Sequence, residues 1–153
     1  VQVITNGGGY GILSADAISQ NGLRLAQPSK ETIELLKKKF PKIVVVGNPM
    51  DLVGDASTER YKDAIEACMN DKSIDVILII ALFQTPLLST DVVDVITEFN
   101  DMKKKTIVVV STGGDFTEVL KKNLEDSGVP CYSFPEDAVK SIKILADYYK
   151  KNK

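Results

Sequence analysis

The residues best placed to do chemistry in this chain are clustered glycines and short polar runs beside prolines. Thr5-Asn6-Gly7-Gly8-Gly9-Tyr10-Gly11 packs four glycines into five positions. Such a run lets the main chain approach a ligand closely and aim several N–H groups at one anion. It is not a dinucleotide fingerprint, because the third glycine of G-x-G-x-x-G would fall on Ile12. It is not a P-loop either, since no Gly-Lys-Ser/Thr follows. A tight strand-to-helix turn accounts for the same residues, so anion or partner binding stands beside a purely structural reading.

Three further runs share this character. In Asn48-Pro49-Met50-Asp51, the proline holds Asn48 extended and Asp51 is the one carboxylate in mid-turn. A plain turn, with an Asx-type hydrogen bond from Asp51, explains it equally well. Phe83-Gln84-Thr85-Pro86 leads toward a helix near Ser89, and Ser111-Thr112-Gly113-Gly114-Asp115 toward another. Helix N-termini present N–H groups that a phosphate or a simple cap can use. The candidate binding residues are therefore Asn6, Gly7, Gly8, Gly9, Asn48, Asp51, Gln84, Thr85, Thr112, Gly113 and Gly114. No candidate is catalytic. The chain has no histidine, which removes the commonest general base and metal ligand. Nor does any run place a nucleophile beside a base.

These runs must be held by the elements around them. Short β-branched segments alternate with longer amphipathic ones, the signature of a parallel sheet covered by helices. Strands are expected at Val1–Thr5, Ile43–Val46, Val76–Ala81, Ile107–Val110 and Cys131–Phe134. Helices are expected at about Leu13–Gln20, after Ser29 (Ile33, Leu36, Phe40), and after Ser57 (Tyr61, Ala64, Ile65, Cys68). Others carry Val92, Val93, Ile96 and Phe99, or Val119, Leu120 and Leu124. The last opens at Pro135 with Glu136 and Asp137 on its positive end. That makes a flavodoxin-like, doubly wound α/β fold of about five parallel strands with helices on both faces. Its ligand edge lies at the carboxyl ends of the strands.

The 153 residues fit one domain with a real core. Nineteen basic and 21 acidic residues give a net charge of −2, which argues against nucleic acid as the partner. Lys37-Lys38-Lys39 and Lys103-Lys104-Lys105 read as helix ends complementing the dipole. No apolar run nears the ~20 residues that span a bilayer. Cys68 and Cys131 lack metal or redox spacing and read as core residues of a cytoplasmic, reducing environment. An opening at Val1, inside the first strand and without Met, points to part of a larger multidomain protein.

The order of these pieces carries a resemblance. Val3 to Asp16, then Gly47-Asn48-Pro49-Met50-Asp51-Leu52 with Gly54-Asp55-Ala56 and Glu59-Arg60-Tyr61, resemble the last flavodoxin-like domain of ADP-forming acetyl-CoA synthetases. Asp126-Ser127-Gly128-Val129-Pro130 and Phe134-Pro135-Glu136-Asp137-Ala138-Val139 extend the likeness over essentially the whole chain. The domain is also similar to the C-terminal domain of the succinyl-CoA synthetase β subunit. The resemblance implies that acyl-CoA and phosphate give an acyl phosphate and CoA, and that a histidine on a neighbouring domain carries the phosphoryl group to ADP. This domain would lack that histidine and lend backbone donors to phosphate. Its partners would be the CoA-binding and phosphohistidine domains and an ATP-grasp domain or subunit, with CoA, ADP or ATP and Mg2+ bound on those partners. The phosphate-facing helix would follow Leu82-Phe83-Gln84-Thr85-Pro86, where succinyl-type relatives have a Gly-Gly turn. Tyr10 stands where the family often has proline and adds bulk at the ligand edge. Two alternatives remain: a regulatory domain attached to a protein acetyltransferase, and an independent flavodoxin-like anion or flavin binder.

Overall fold

The computed structural model describes residues 1–151. Five parallel strands form one sheet in the order β2-β1-β3-β4-β5. They are β1 (Gln2–Thr5), β2 (Met50–Asp51), β3 (Val76–Ile80), β4 (Thr106–Val110) and β5 (Cys131–Tyr132). The helices are α1 (Gly8–Gln20), α2 (Lys30–Lys39), α3 (Thr58–Asn70), α4 (Val92–Asp101), α5 (Asp115–Asp126) and α6 (Pro135–Lys151). The doubly wound fold is as the alternation of segments implied.

Side chains that alternate along the strands build the two halves of the core. Val3, Leu78, Ile80, Val108 and Val110 pack with Ala17 and Ile18 of α1 and Ala138, Val139 and Ile142 of α6. Ile4, Ile77, Ile79, Ile107 and Val109 face the opposite way, onto α2 to α5. Burial on both faces explains why Val76–Ile80 and Ile107–Val110 are unbroken apolar runs. The helix ends follow from named residues. Ser29 and Ser57 accept the Thr32 and Arg60 N–H groups as N-caps. Gly22 and Gly128 take the left-handed conformation, at φ 66° and 78°, past the ends of α1 and α5. There Leu23 N–H donates back to the Ile18 carbonyl and Val129 N–H to that of Leu124, closing both helices.

Several boundaries differ from expectation. The Ile43–Val46 run is not a sheet strand. Only Val45 bridges, antiparallel, to Asp51, and the parallel ladder to β1 is made by Met50 and Asp51. The chain passes down the sheet edge and turns back at Gly47–Pro49, so the β-branched run lies outside the ladder while Met50 is fully buried. Strand propensity reports a half-buried pleated setting and not a place in the sheet. Helix α1 starts at Gly8 and absorbs the glycines. Helix α4 starts at Val92, after a run of turns, and β5 is only two residues long. Val119 is 58% exposed and outside the core, and Cys131 is half-buried on edge strand β5.

Candidate functional site

Strands β1 and β3 are neighbours, but the chain leaves β1 toward β2 on one side and returns to β3 on the other. This is the switch point at which a doubly wound sheet opens a crevice at its carboxyl edge. Thr5 ends β1, and its hydroxyl accepts the Gly7 N–H at 2.9 Å. Gly7 is the N-cap of α1. The first intrahelical bond runs from Gly11 N–H to the Gly7 carbonyl at 3.2 Å, so the N–H groups of Gly8, Gly9 and Tyr10 precede the helix's own ladder.

None of Gly7, Gly8, Gly9 and Gly11 has a positive φ, so backbone conformation does not require them, and close approach does so at three of the four. A Cβ on Gly7 would lie 2.5 Å from Leu82 Cδ1, and one on Gly8 2.6 Å from Asp51 Oδ2. At Gly11 it would lie 3.0 Å from Thr5 Cγ2. Gly9 differs: an added Cβ meets no atom within 4 Å. At α5 the same contrast recurs, with Thr117 Oγ1 2.2 Å from a Cβ on Gly113 and open space beside Gly114, the α5 N-cap. Packing therefore explains Gly7, Gly8, Gly11 and Gly113, and leaves Gly9 and Gly114 facing outward.

Asn6 is 3% exposed and turned inward. Its Oδ1 accepts the Leu82 N–H at 2.9 Å, and its Nδ2 donates to the Leu82 carbonyl at 3.2 Å and to Thr85 Oγ1 at 3.0 Å. Thr85 donates in turn to the Leu82 carbonyl. Asn6 and Thr85 thus tie the loops after β1 and β3 together across the switch point, and their side chains are occupied in doing so. Beneath them the fully buried Tyr61 donates its hydroxyl to the Ile80 carbonyl at 2.6 Å. Burial raises its pKa well above the usual phenol range, against a hydrogen bond with the Asn6 backbone that lowers it. Ser111 does the same between β3 and β4, donating to the Ala81 carbonyl at 2.6 Å.

Asn48 lies elsewhere. Its amide grips the Val1 and Ala26 carbonyls at 2.8 and 2.9 Å and accepts the Val3 N–H at 3.0 Å. These groups sit at the amino end of β1, so Asn48 registers the sheet edge and is removed from the candidate site. Asp51 is at the rim. Its Oδ1 accepts the Val53 N–H at 2.9 Å, an Asx-type turn, and holds Val53 at φ 61°, a costly conformation for a β-branched residue. Gln84 is exposed in the loop after β3, but neither it nor Thr85 lies at the start of α4, which begins at Val92. Thr112 is half-buried and Gly113 exposed, before α5.

Sequence reasoning missed Tyr61 and Ser111 as supports of this edge. The helical spacing places Tyr61 in a core stripe, and nothing in a single sequence shows where its hydroxyl points. The electrostatics were missed too. The segments leaving the five strand ends (6–9, 52–58, 81–91, 111–115 and 133–137) contain no lysine or arginine. Together with Asp51 they carry six carboxylates, Asp51, Asp55, Asp91, Asp115, Glu136 and Asp137. Arg60 and Lys121 approach from α3 and α5, and each is already paired, with Asp55 at 2.6 Å and Glu118 at 2.9 Å.

Fold and edge together define a flavodoxin-like domain whose α1 N-terminus opens at the switch point of the sheet. Residues 1–153 match the model of the Ligase-CoA domain, and the chain belongs to that family. It is 33% identical over 148 residues to acetate–CoA ligase [ADP-forming] I of Archaeoglobus fulgidus, covering 97% of this chain and 21% of that protein. It superimposes on the crystal structure of PH0766 from Pyrococcus horikoshii OT3 with a TM-score of 0.92 at 28% identity, over 98% of this chain and 35% of that one. The dinucleotide forming acetyl-coenzyme A synthetase 1 of Ca. Korarchaeum cryptofilum, in complex with phosphate and ADP, gives a TM-score of 0.87 at 26% identity, over 97% and 32%. The chain thus spans about a fifth to a third of the proteins it matches.

Proposed function

We propose that this chain is the flavodoxin-like ligase domain of an ADP-forming acyl-CoA synthetase. The overall reaction converts acyl-CoA, phosphate and ADP to the free acid, CoA and ATP. Phosphate displaces CoA from the acyl group, and the acyl phosphate passes its phosphoryl group to a histidine on another domain and then to ADP. CoA, nucleotide and Mg2+ bind on the other domains, among them the CoA-binding, histidine-bearing and ATP-grasp units. The part of this domain is electrostatic: the N–H groups of Gly8, Gly9 and Tyr10, and those opening α5 behind Gly114, stabilise charge on the phosphate being transferred.

The observation that carries this reading is Gly9, a glycine that neither a positive φ nor packing requires. Open space there is what a ligand approaching the α1 N-terminus needs. Purified alone, the chain should give no acyl-CoA-dependent ATP formation; joined by the other domains of its enzyme, it should. In that assembly Gly9→Val lowers turnover by ~10-fold or more, the scale of losing preorganised donor access, while CoA affinity and melting temperature hold. Unchanged turnover would remove the glycine turn from the mechanism. Gly8→Val tests less cleanly, because its side chain would strike Asp51.

A further inference from the structure

The rim has a second property that bare phosphate binding does not explain. Leu87, Phe116 and Phe134 are 59%, 59% and 56% exposed. They stand on the segments after β3, β4 and β5, among the carboxylates Asp91, Asp115, Glu136 and Asp137. A carboxylate in the first turn uses the positive potential of a helix N-terminus that a phosphate would otherwise feel. No basic residue lies in these segments; from the flanking helices Lys140 pairs with Asp137 at 3.4 Å, and Arg60 and Lys121 are engaged with Asp55 and Glu118, which leaves Asp91, Asp115 and Glu136 as the carboxylates with no basic partner in these pairs. By itself, this edge is apolar and negative.

From this face we infer that the carboxyl rim docks an apolar, net-positive surface of another domain of the same enzyme, and that this partner brings the cationic charge the phosphate needs. The inference rests on the functional reading above and deepens it. The proteins that this chain matches are about three to five times its length, as the 35% and 21% shares show, so the chain outside this domain is ample to supply such a surface. The rim selects it on both counts. Apolar contacts at Leu87, Phe116 and Phe134 hold the interface, and the acidic ring favours lysine, arginine or protonated histidine around it and repels an acidic surface.

The test is association between this chain and the remaining domains of its enzyme, measured by titration calorimetry at rising NaCl, with ATP formation followed in parallel. Raising salt from about 50 to about 500 mM should weaken binding by ~10-fold or more, because screening acts on exposed opposite charges. Asp115→Asn with Glu136→Gln should weaken it severalfold and flatten the salt dependence. Phe116→Ser with Phe134→Ser should weaken it ~10-fold without changing that dependence. Circular-dichroism melting of each variant separates these effects from unfolding. Inorganic phosphate alone, with or without Mg2+, should leave the backbone amide NMR signals of Gly8, Gly9 and Tyr10 unmoved at millimolar concentration. Salt-insensitive binding, tighter binding by the neutralised variant, or phosphate binding to the chain alone would overturn the inference and leave the functional reading standing. Salt-dependent binding without ATP formation would do the reverse. Absence of association at any salt would remove both.

Discussion

Two asparagines beside turns, Asn6 and Asn48, hold opposite ends of the sheet. Asn6 stands out in sequence as the polar residue before the glycine run, yet its amide is spent on Leu82 and Thr85. Asn48 stands out equally and serves the far end of the sheet. Hydrogen-bonding capacity can be read from a residue type, and the partner cannot. Asp71, which drew no functional reading, anchors the amino side. It accepts the N–H groups of Ser29 and Ser73 at 2.7 and 2.9 Å and the Ser73 hydroxyl at 2.7 Å. Burial works to raise its pKa, but these hydrogen bonds prevail and hold it below the usual carboxylate range. A carboxyl acidified on folding adds stability above its unfolded value near 4, and that stability is lost as pH falls toward the folded value. Asp71→Ala should therefore cost ~1–3 kcal/mol in urea unfolding at pH 7, and the cost should shrink at pH 3. A cost unchanged at pH 3 would show that the charged carboxylate is not what the site uses.

Elements with strong periodicity were readable, and those set by long-range contacts were not. The α3 and α4 stripes, Tyr61-Ala64-Ile65-Cys68 and Val92-Val93-Ile96-Phe99, are buried as their spacing implied. The edge strand was misplaced, because Ile43–Val46 has the stronger β pattern while Met50–Asp51 takes the ladder. Stability should follow the observed pairing. Met50→Ala, at a fully buried position, should cost ~2–5 kcal/mol. Val45→Thr, at a position 57% exposed, should change stability by less than ~0.5 kcal/mol. Chemical denaturation of both variants checks this, and the reverse order would place the strand where the sequence pattern alone puts it. The start of α4 at Val92 has the same lesson. The expected helix entry near Ser89 ignored the turns through 83–91, which hold Thr85 against Asn6.

At the scale of the whole molecule, charge is uneven between the two ends of the sheet. Carboxylates cluster where strands end and helices begin, and lysines such as Lys37–Lys39, Lys103–Lys105 and Lys150–Lys151 sit toward helix C-termini. The lysines closing α2 and α6 suit their own helix dipoles, while α3, α4 and α5 have no basic residue in their last turn, so the excess of one sign is confined to the acidic rim. The interior is chemically quiet. Burial pushes the Cys68 and Cys131 thiols up to about 12, so neither should react with a thiol reagent at pH 8 until the protein unfolds. Rapid labelling of the native chain would contradict that. The chemistry proposed for this domain belongs to its main chain, at the rim.

Amide hydrogen exchange at Gly8, Gly9 and Tyr10 in the complete enzyme tests that claim most directly. With acyl-CoA, phosphate and the other domains present, these three amides should exchange ~10-fold more slowly than in the chain alone, as donors engaged by ligand do. Exchange as fast as in the free chain, while the rest of the enzyme turns over, would contradict the account.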